Sequence, residues 1–485
     1  MNKPTIKRED LIELNSSLYE IPRSYRADMR VPARVFTNEA LLGEVLNDSS
    51  LTQLVNVATL PGIQNAALAM PDIHQGYGFP IGGVAGFAIH HGGIISPGGI
   101  GYDINCGVRL LSISLSATEI KPYLKRLAQD LFHAVPSGVG RAGSTTLNQK
   151  DLDHVLKHGA HALLEQGYGV HEDIENCEEN GRMKEADPKL VSTRAKERGH
   201  DQLGTLGAGN HFLEVQEVTD IYDEAVAQTF GLHKGMVTVM IHCGSRGLGH
   251  QNCTDYVKVM LSKSASWPFT LPDRELACAP FFSQEGQDYY ASMCASANFA
   301  WANRHMIGHR VRECLTKAIG PSVHVRTIYD LSHNMGKRET HLINGKEEEL
   351  IVHRKGATRA FPAGRPEVPV LYRATGHPVL IPGTMGTSSY VCVGTQEGME
   401  LAWGSSCHGA GRRMSRMRAK KTVQGATLRE QLEAQGIIIQ CSSNRELAEE
   451  APQAYKDVDN VVRVVQEAHL ARPVARLKPL AVIKG

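Results

Sequence analysis

Two residue patterns in this chain are capable of chemistry. In GYDINCGVR, Asp103 and Cys106 set a carboxylate and a thiol on one glycine-bounded turn, so both can reach one ion or the sulfur can bridge two. Taken alone, the D-x-x-C spacing reads equally as a turn-capping aspartate beside an inert buried thiol. His211 in GNHFLE, His242 in IHCGSRG and His333 in DLSHN repeat one arrangement, an imidazole at the end of an apolar run beside glycine, asparagine or serine. Each histidine singly has a hydrogen-bonded structural reading, but a thiolate, a carboxylate and three imidazoles together form a divalent-metal donor set. Sulfur and nitrogen favour Zn2+ first, an oxygen-rich second site favours Mn2+, and the spacing leaves the choice open.

The second pattern is SSCHGAGRRMSRMRAKK, residues 405–421. His408 precedes a Gly-Ala-Gly turn whose amides can cradle an anion, and Arg412 opens a run of six basic residues in ten positions. Arg412 and Arg416, four apart, are expected on one helix face as a phosphate clamp; the alternative is a solvated basic helix. His408 is open to three roles: metal ligand, general base, or a nucleophile whose nitrogen attacks phosphorus. IPGTMGTSSY offers amide and hydroxyl donors for phosphate oxygens without being a P-loop, and neither a Rossmann context for G-x-G-x-x-G nor a G-x-S-x-G elbow is found. Lys484, next to the last residue, reads by itself as a mobile tail.

The elements that must position these groups follow from the pattern between them. Residues 61–115 alternate short apolar runs with turn signals and predict tight β structure, with loops carrying Asp72, His74, Asp103 and Cys106. KPYLKRLAQDLFHAV and HVLKHGAHALLEQ have helical periodicity, and the charged run NCEENGRMKEADPKLVSTRAKERGHDQ reads as a projecting arm or a solvated helical face. The runs before His242 and after His211 read as strands, residues 286–317 as one long scaffold helix, and HRKGATRAFPAG as a loop. At 485 residues the chain has room for roughly two to four domains. Because the candidate residues run from 72 to 484 without a linker, one integrated domain over 1–485 is expected, with a helical arm or insertion at about 143–205.

Composition sets the outer bounds. Hydrophobic residues at 42 % and charged residues at 21 % exclude a disordered polyelectrolyte, a collagen-like chain and a coiled coil. The 52 lysines and arginines balance 51 acidic residues, so any basic surface is local. Ten cysteines without a CxxC suggest reduced thiols rather than a disulfide scaffold. The opening MNKPTIKREDLIELNSS lacks the apolar core of a signal peptide. The uncharged stretch Ile73 to Tyr102 carries ten glycines, three histidines and two prolines, and reads as buried backbone, not as a membrane span.

PDIHQGYGFPIGG, GYDINCGVR, GTLGAGNHFLEVQ, HCGSRGLGH, DLSHN, HRKGATRA, PGTMGTSSY, SCHGAGR, AYKDVD and the final VIKG occur here in order. By these motifs the chain resembles the RtcB family of RNA-splicing ligases over nearly its whole length. The resemblance implies an α/β fold, a single large RtcB-like unit with a central β-rich core surrounded by helices. It implies a ligase that joins RNA 3′-phosphate or 2′,3′-cyclic phosphate ends to 5′-hydroxyl ends in tRNA splicing or RNA repair, using GTP and two Mn2+ ions, with His408 as the guanylated nucleophile. Asp103, Cys106, His211, His242 and His333 match the family's manganese ligands, with Cys106 bridging, which overrides the Zn2+ preference. Nucleotide contacts are implied for Asn210, His211, Phe212, Leu213, Glu214, His333, Asn334, Pro382, Gly383, Thr384, Met385, Ser389, His408, Gly409, Ala410, Gly411, Tyr455 and Lys484, which brings the C-terminal segment inward. Arg412 and Arg416 match RNA phosphate contacts. Thr384 stands where serine is more usual in the family and keeps the hydroxyl. An archease-like activator, a monomeric state, a cytoplasmic location and no membrane association complete the expectation. A dinuclear phosphodiesterase acting on RNA ends and a noncatalytic RNA-binding protein are the competing readings.

Overall fold

The computed structural model describes residues 6–485, so the first five residues of the charged N-terminal stretch lie outside it. Two large sheets form a mixed α/β core. The first has seven strands in the order Ile12–Asn15, Leu18–Ile21, Ala33–Phe36, Ala67–His74, Ile81–Ala88, Lys346–Lys355 and Asn334–Ile343. The second runs Val325–Ser332, Gly107–Ser116, Met236–Cys243, Phe212–Ile221, Ala471–Lys484, Ser389–Gly394 and Pro378–Ile381, with Ile438–Cys441 paired in parallel to the end of Ala471–Lys484. Neighbours along this second path are antiparallel.

The helix Gln284–Ile319 ties the two sheets together. The Ser283 side chain caps it by accepting from the Gly286 N–H, and Gly320 ends it. Its first half, with Tyr289, Met293, Ala297 and Trp301, packs into the core of the first sheet. Its second half, with Ile307, Val311 and Leu315, packs beneath the second sheet against Leu213, Val239 and Ile241. Small residues in ASMCASANFAWAN allow burial nearly all round, which an amphipathic surface helix does not have.

Strand alternation divides the second sheet into two faces. Leu111, Ile113, Leu213, Val215, Val237, Val239 and Ile241 face the helices, while Val108, Leu110, Phe212, Met240 and Leu477 face the opposite core.

Several local expectations are corrected. Asp72 and His74 lie in the strand Ala67–His74 and not in a loop; the strand is buried on both faces and its polar groups have partners within the protein. HRKGATRAFPAG supplies the end of the strand Lys346–Lys355 and the strand Ala357–Arg359, because Arg354 and Arg359 are buried together on Glu339 instead of solvated. Gly159, at φ +60°, splits HVLKHGAHALLEQ into the helices Gln149–His158 and His161–Leu164. The charged run folds onto the core: Glu178 is buried, accepts from the Ser332 N–H and hydroxyl, and pairs with Lys337. Among the described residues no helix is long and apolar enough to cross a membrane.

Candidate metal and nucleotide site

The register of the second sheet aligns one row of side chains. Phe212 lies opposite His242 on one side and opposite Lys484 on the other. Cross-strand neighbours share a face, so these three form a line, with Glu214 two residues further along the same face. The Phe212 ring sits 5.4 Å from the His242 ring, and the Lys484 ammonium lies 5.8 Å from the Phe212 centroid. This face forms a wall of a cavity of about 850 Å3, whose lining also includes Asn210, the Pro382–Met385 turn, His408 to Arg412, Arg416 and Tyr455.

Around and behind His242, which lines the cavity, five groups converge in two sets of three that share one sulfur. Cys106, His242 and His333 form one set and Asp103, Cys106 and His211 the other, with all donor atoms of a set within 4.8 Å of one another. The Cys106 Sγ lies 3.2 Å from His211 Nε2 and 3.3 Å from His242 Nε2; His242 and His333 bring their Nε2 atoms to 3.0 Å, and Asp103 Oδ2 lies 2.9 Å from His211 Nε2. Burial holds His242 and His333 well below the ordinary histidine range, and nearby positive groups lower them further, so both are neutral and have lone pairs to donate. Burial, then the Asp103 carboxylate, pushes the Cys106 thiol up to about 11, so a thiolate there calls for a cation. Burial opposes charge on His211, yet the sulfurs of Cys106 and Cys243 and the Asp103 carboxylate outweigh it and raise its proton affinity. A pocket that draws a positive charge between sulfur, nitrogen and oxygen donors fits a divalent metal.

The ligands are placed by backbone structure. Asn105 takes the left-handed conformation at φ +52°, its N–H donates to Asn334 O at 2.8 Å, and the His333 N–H donates to Cys106 O at 2.8 Å. The fully buried Arg304 guanidinium clamps this turn, donating to Asn105 O at 2.7 Å and to Cys243 O at 2.9 Å while paired with Asp330 at 2.7 Å. Gly207 permits the approach of His211, since a Cβ there would lie 1.9 Å from the ring Nδ1.

His408 stands at the junction of this centre and the open cavity, its ring 4.9 Å from that of His333. Its Nδ1 is 2.5 Å from Asp72 Oδ2, and its backbone N–H donates to the same oxygen at 3.2 Å. Asp72 is fully buried and therefore selects the tautomer with the proton on Nδ1, leaving the Nε2 lone pair free. An imidazole held in this way is oriented and can act as a nucleophile, a base or a ligand through Nε2, unlike a free surface histidine.

A family model described as tRNA-splicing ligase RtcB matches residues 53–485. The chain belongs to the RtcB family. A tRNA-splicing ligase RtcB from Archaeoglobus fulgidus is 53 % identical over 470 residues, spanning 96 % of this chain and 97 % of the relative. Counterparts from Thermococcus kodakarensis, 51 % identical over 483 residues with 99 % of each chain covered, and from Methanococcus maripaludis, 47 % identical over 481 residues with 99 % and 100 % covered, carry the same description.

Most of the residues that RtcB resemblance selects for nucleotide contact line the cavity. Glu214 is buried and accepts from Gln216 Nε2 at 2.9 Å; burial raises it to about 7 against the lowering effects of Gln216 and Lys484. Lys484, expected as a mobile tail from its position alone, is buried in the strand Ala471–Lys484, and burial lowers its pKa. Leu213 turns to the opposite face, into the core beneath the sheet. Ser389 stands behind the wall, accepting from the Gly383 N–H and from Gln216. The Asn334 amide is bonded to Asp103 O and the Gly356 N–H.

Arg412 and Arg416 both reach the cavity, but not from one helix face. The helix is Arg416–Thr422, capped by Ser415, and Arg412 precedes it in a stretch bridged to Tyr455. Arg412 lies 3.0 Å from Glu450 Oε1, donates to Glu449 O at 2.9 Å and stacks on Tyr455 at 4.8 Å; Arg416 lies 3.4 Å from Glu449 and Glu450. The side-chain oxygens of Glu450 thus stand where phosphate oxygens are expected, and the Tyr455 hydroxyl also donates to Glu450. Reasoning from sequence counted Asp72 among the candidates but gave it no role, and it did not select Glu450 or Arg304. An aspartate inside the apolar strand ALAMPDIH was the one signal that pointed to Asp72.

Proposed function

We propose that this RtcB-family enzyme is an RNA ligase that joins a 3′-phosphate or 2′,3′-cyclic phosphate end to a 5′-hydroxyl end with GTP, through guanylate carried on His408. The observation that supports this reading is a histidine whose Nδ1 is locked by a buried aspartate, beside two metal-donor triads, in a cavity whose lining also carries the Glu214 carboxylate and Lys484.

His408 Nε2 attacks the α-phosphorus of GTP, and the bond to the leaving pyrophosphate breaks; no proton need leave Nε2 because Asp72 holds it on Nδ1. Glu214 accepts from the N1 and N2 edge of guanine, which adenine cannot satisfy, and Lys484 and the 382–385 turn enclose the nucleotide. A cyclic phosphate is first opened by water to a 3′-phosphate. A 3′-phosphate oxygen then attacks the guanylate phosphorus and frees His408, and the 5′-hydroxyl attacks the activated 3′-phosphorus and releases GMP. Arg412 and Arg416 hold the terminal phosphate once it displaces Glu450. Two Mn2+ ions, one held by Asp103, Cys106 and His211 and the other by Cys106, His242 and His333, would when bound neutralise the nucleotide phosphates and polarise the attacked phosphorus.

Incubation with GTP labelled at the α-phosphate and Mn2+ is expected to leave covalent label on the wild-type chain and none on His408→Ala, which still binds Mn2+. An unlabelled wild-type chain overturns the reading, and processing of RNA ends without joining supports the phosphodiesterase instead.

A further inference from the structure

AYKDVD contains a second residue, Lys456, to which the reaction above gives no task. Its side chain is buried, and its ammonium reaches the strand that carries Asp72, donating to Pro71 O at 3.1 Å and to Ile73 O at 2.6 Å. The register of this strand with Ile81–Ala88 breaks between Ala69 and His74, so the lysine binds the two carbonyls flanking Asp72 where regular strand pairing lapses. The Asp72 carbonyl takes the Nδ1–H of His74 at 2.9 Å. From the other side, the Lys456 backbone N–H donates to Gly411 O at 2.9 Å, which ties down the turn that follows His408. Gly411, at φ +76°, lies so close to the strand that a Cβ would fall 2.3 Å from Asp72 O. Lys456 therefore holds both halves of the Asp72–His408 pair, the strand with the carboxylate and the turn with the nucleophile.

We infer that Lys456 is a positioning residue for guanylation: by clamping Pro71 O, Ile73 O and Gly411 O it fixes Asp72 against His408 Nδ1 and so sets the direction of Nε2. The inference rests on the guanylation reading above and adds a residue to it.

The test is a single-turnover double-mutant cycle on the full chain with Mn2+ and α-labelled GTP. Lys456→Met, close in shape and without charge or donors, is expected to slow labelling at saturating GTP by about tenfold to a hundredfold, the cost of a small misplacement at a reacting group. The GTP concentration at half-maximal rate should stay within about twofold, and in an Asp72→Asn background the same change should cost less than about twofold more, since two residues acting through one contact are not additive. Lys456→Gln, which keeps amide donors, should recover part of the rate, and it carries the cycle if the methionine variant does not fold. Labelling of Lys456→Met at the wild-type rate, an equal loss in both backgrounds, or a loss confined to GTP half-saturation each overturns the inference. An unlabelled wild-type chain instead marks failure of the guanylation reading itself.

Discussion

His242 enters the cavity from the end of a strand, with Cys106 behind it on a turn clamped by Arg304, whereas Arg412 and Arg416 enter it from a loop and a helix start held by ion pairs to Glu449 and Glu450. The first wall is buried and its donors already converge within ligand distance of one another. The second is partly open, with the Arg416 side chain 51 % exposed and both guanidinium groups engaged by carboxylates. A metal demands fixed donor geometry, which paired backbone can supply; an RNA end must come and go, so its partners are held by contacts that an incoming phosphate can replace. Asp72 and His408 join the two walls.

Changes to the shared dyad probe that division most strongly. Asp72→Asn permits the wrong imidazole tautomer and should slow guanylation by about 10^3 to 10^4-fold, the scale of the equivalent change in serine-protease triads, while Mn2+ binding measured by electron paramagnetic resonance stays constant. Loss of metal in this variant would show that the walls are not independent. Cys106→Ser, which removes the sulfur common to both triads, should weaken Mn2+ binding by more than about a hundredfold, beyond the effect typical of outer-shell partners, and leave RNA binding in place.

Glu214 gives a pH signature. Burial raises it to about 7 from an ordinary 4.5, so its contribution to stability is fully present below pH 4.5 and is lost as pH rises through about 7. Guanine needs the ionised acceptor, so GTP affinity should run the other way and fall about tenfold per pH unit below 7. Calorimetric titration over this interval should show the slope in wild type and a flat profile in Glu214→Gln; a slope that persists in the variant assigns the titration elsewhere. The smallest effect is expected at Glu450→Gln. Arg412 keeps the Tyr455 hydroxyl and Glu449 O, so the fold should survive with a lower melting temperature, and the 3′-phosphate RNA concentration at half-maximal joining should drop a few-fold as a competitor is removed. A rise would mean that Glu450 places the arginines and does not compete for them.

Legibility followed the same division. The strands before His242 and after His211 and the helix Gln284–Ile319 were readable because their apolar periodicity is sustained over many residues. The strand Lys346–Lys355 was not, since its arginine is neutralised by Glu339 on the neighbouring strand and a polar run bordering a glycine reads as a loop. Arg412 and Arg416 were placed on one helix by their spacing, but the Ser415 cap starts the helix between them. For Lys484 the local signal was that of a tail; only its pairing with Phe212 buries it.

The amino-acid sequence by itself determined the chemistry available: which thiol, carboxylate and imidazoles can bind a cation, which histidine precedes an anion-binding turn, and, through strand alternation, that Phe212 and Glu214 share a face. Tertiary structure decided which of these groups act together. Asp72 and His408 are 336 residues apart, and Lys456 lies 385 from Pro71, so no local pattern pairs them. Their contacts arise because burial leaves carbonyls, a carboxylate and an ammonium without water, and each must find its partner wherever the packed chain brings one.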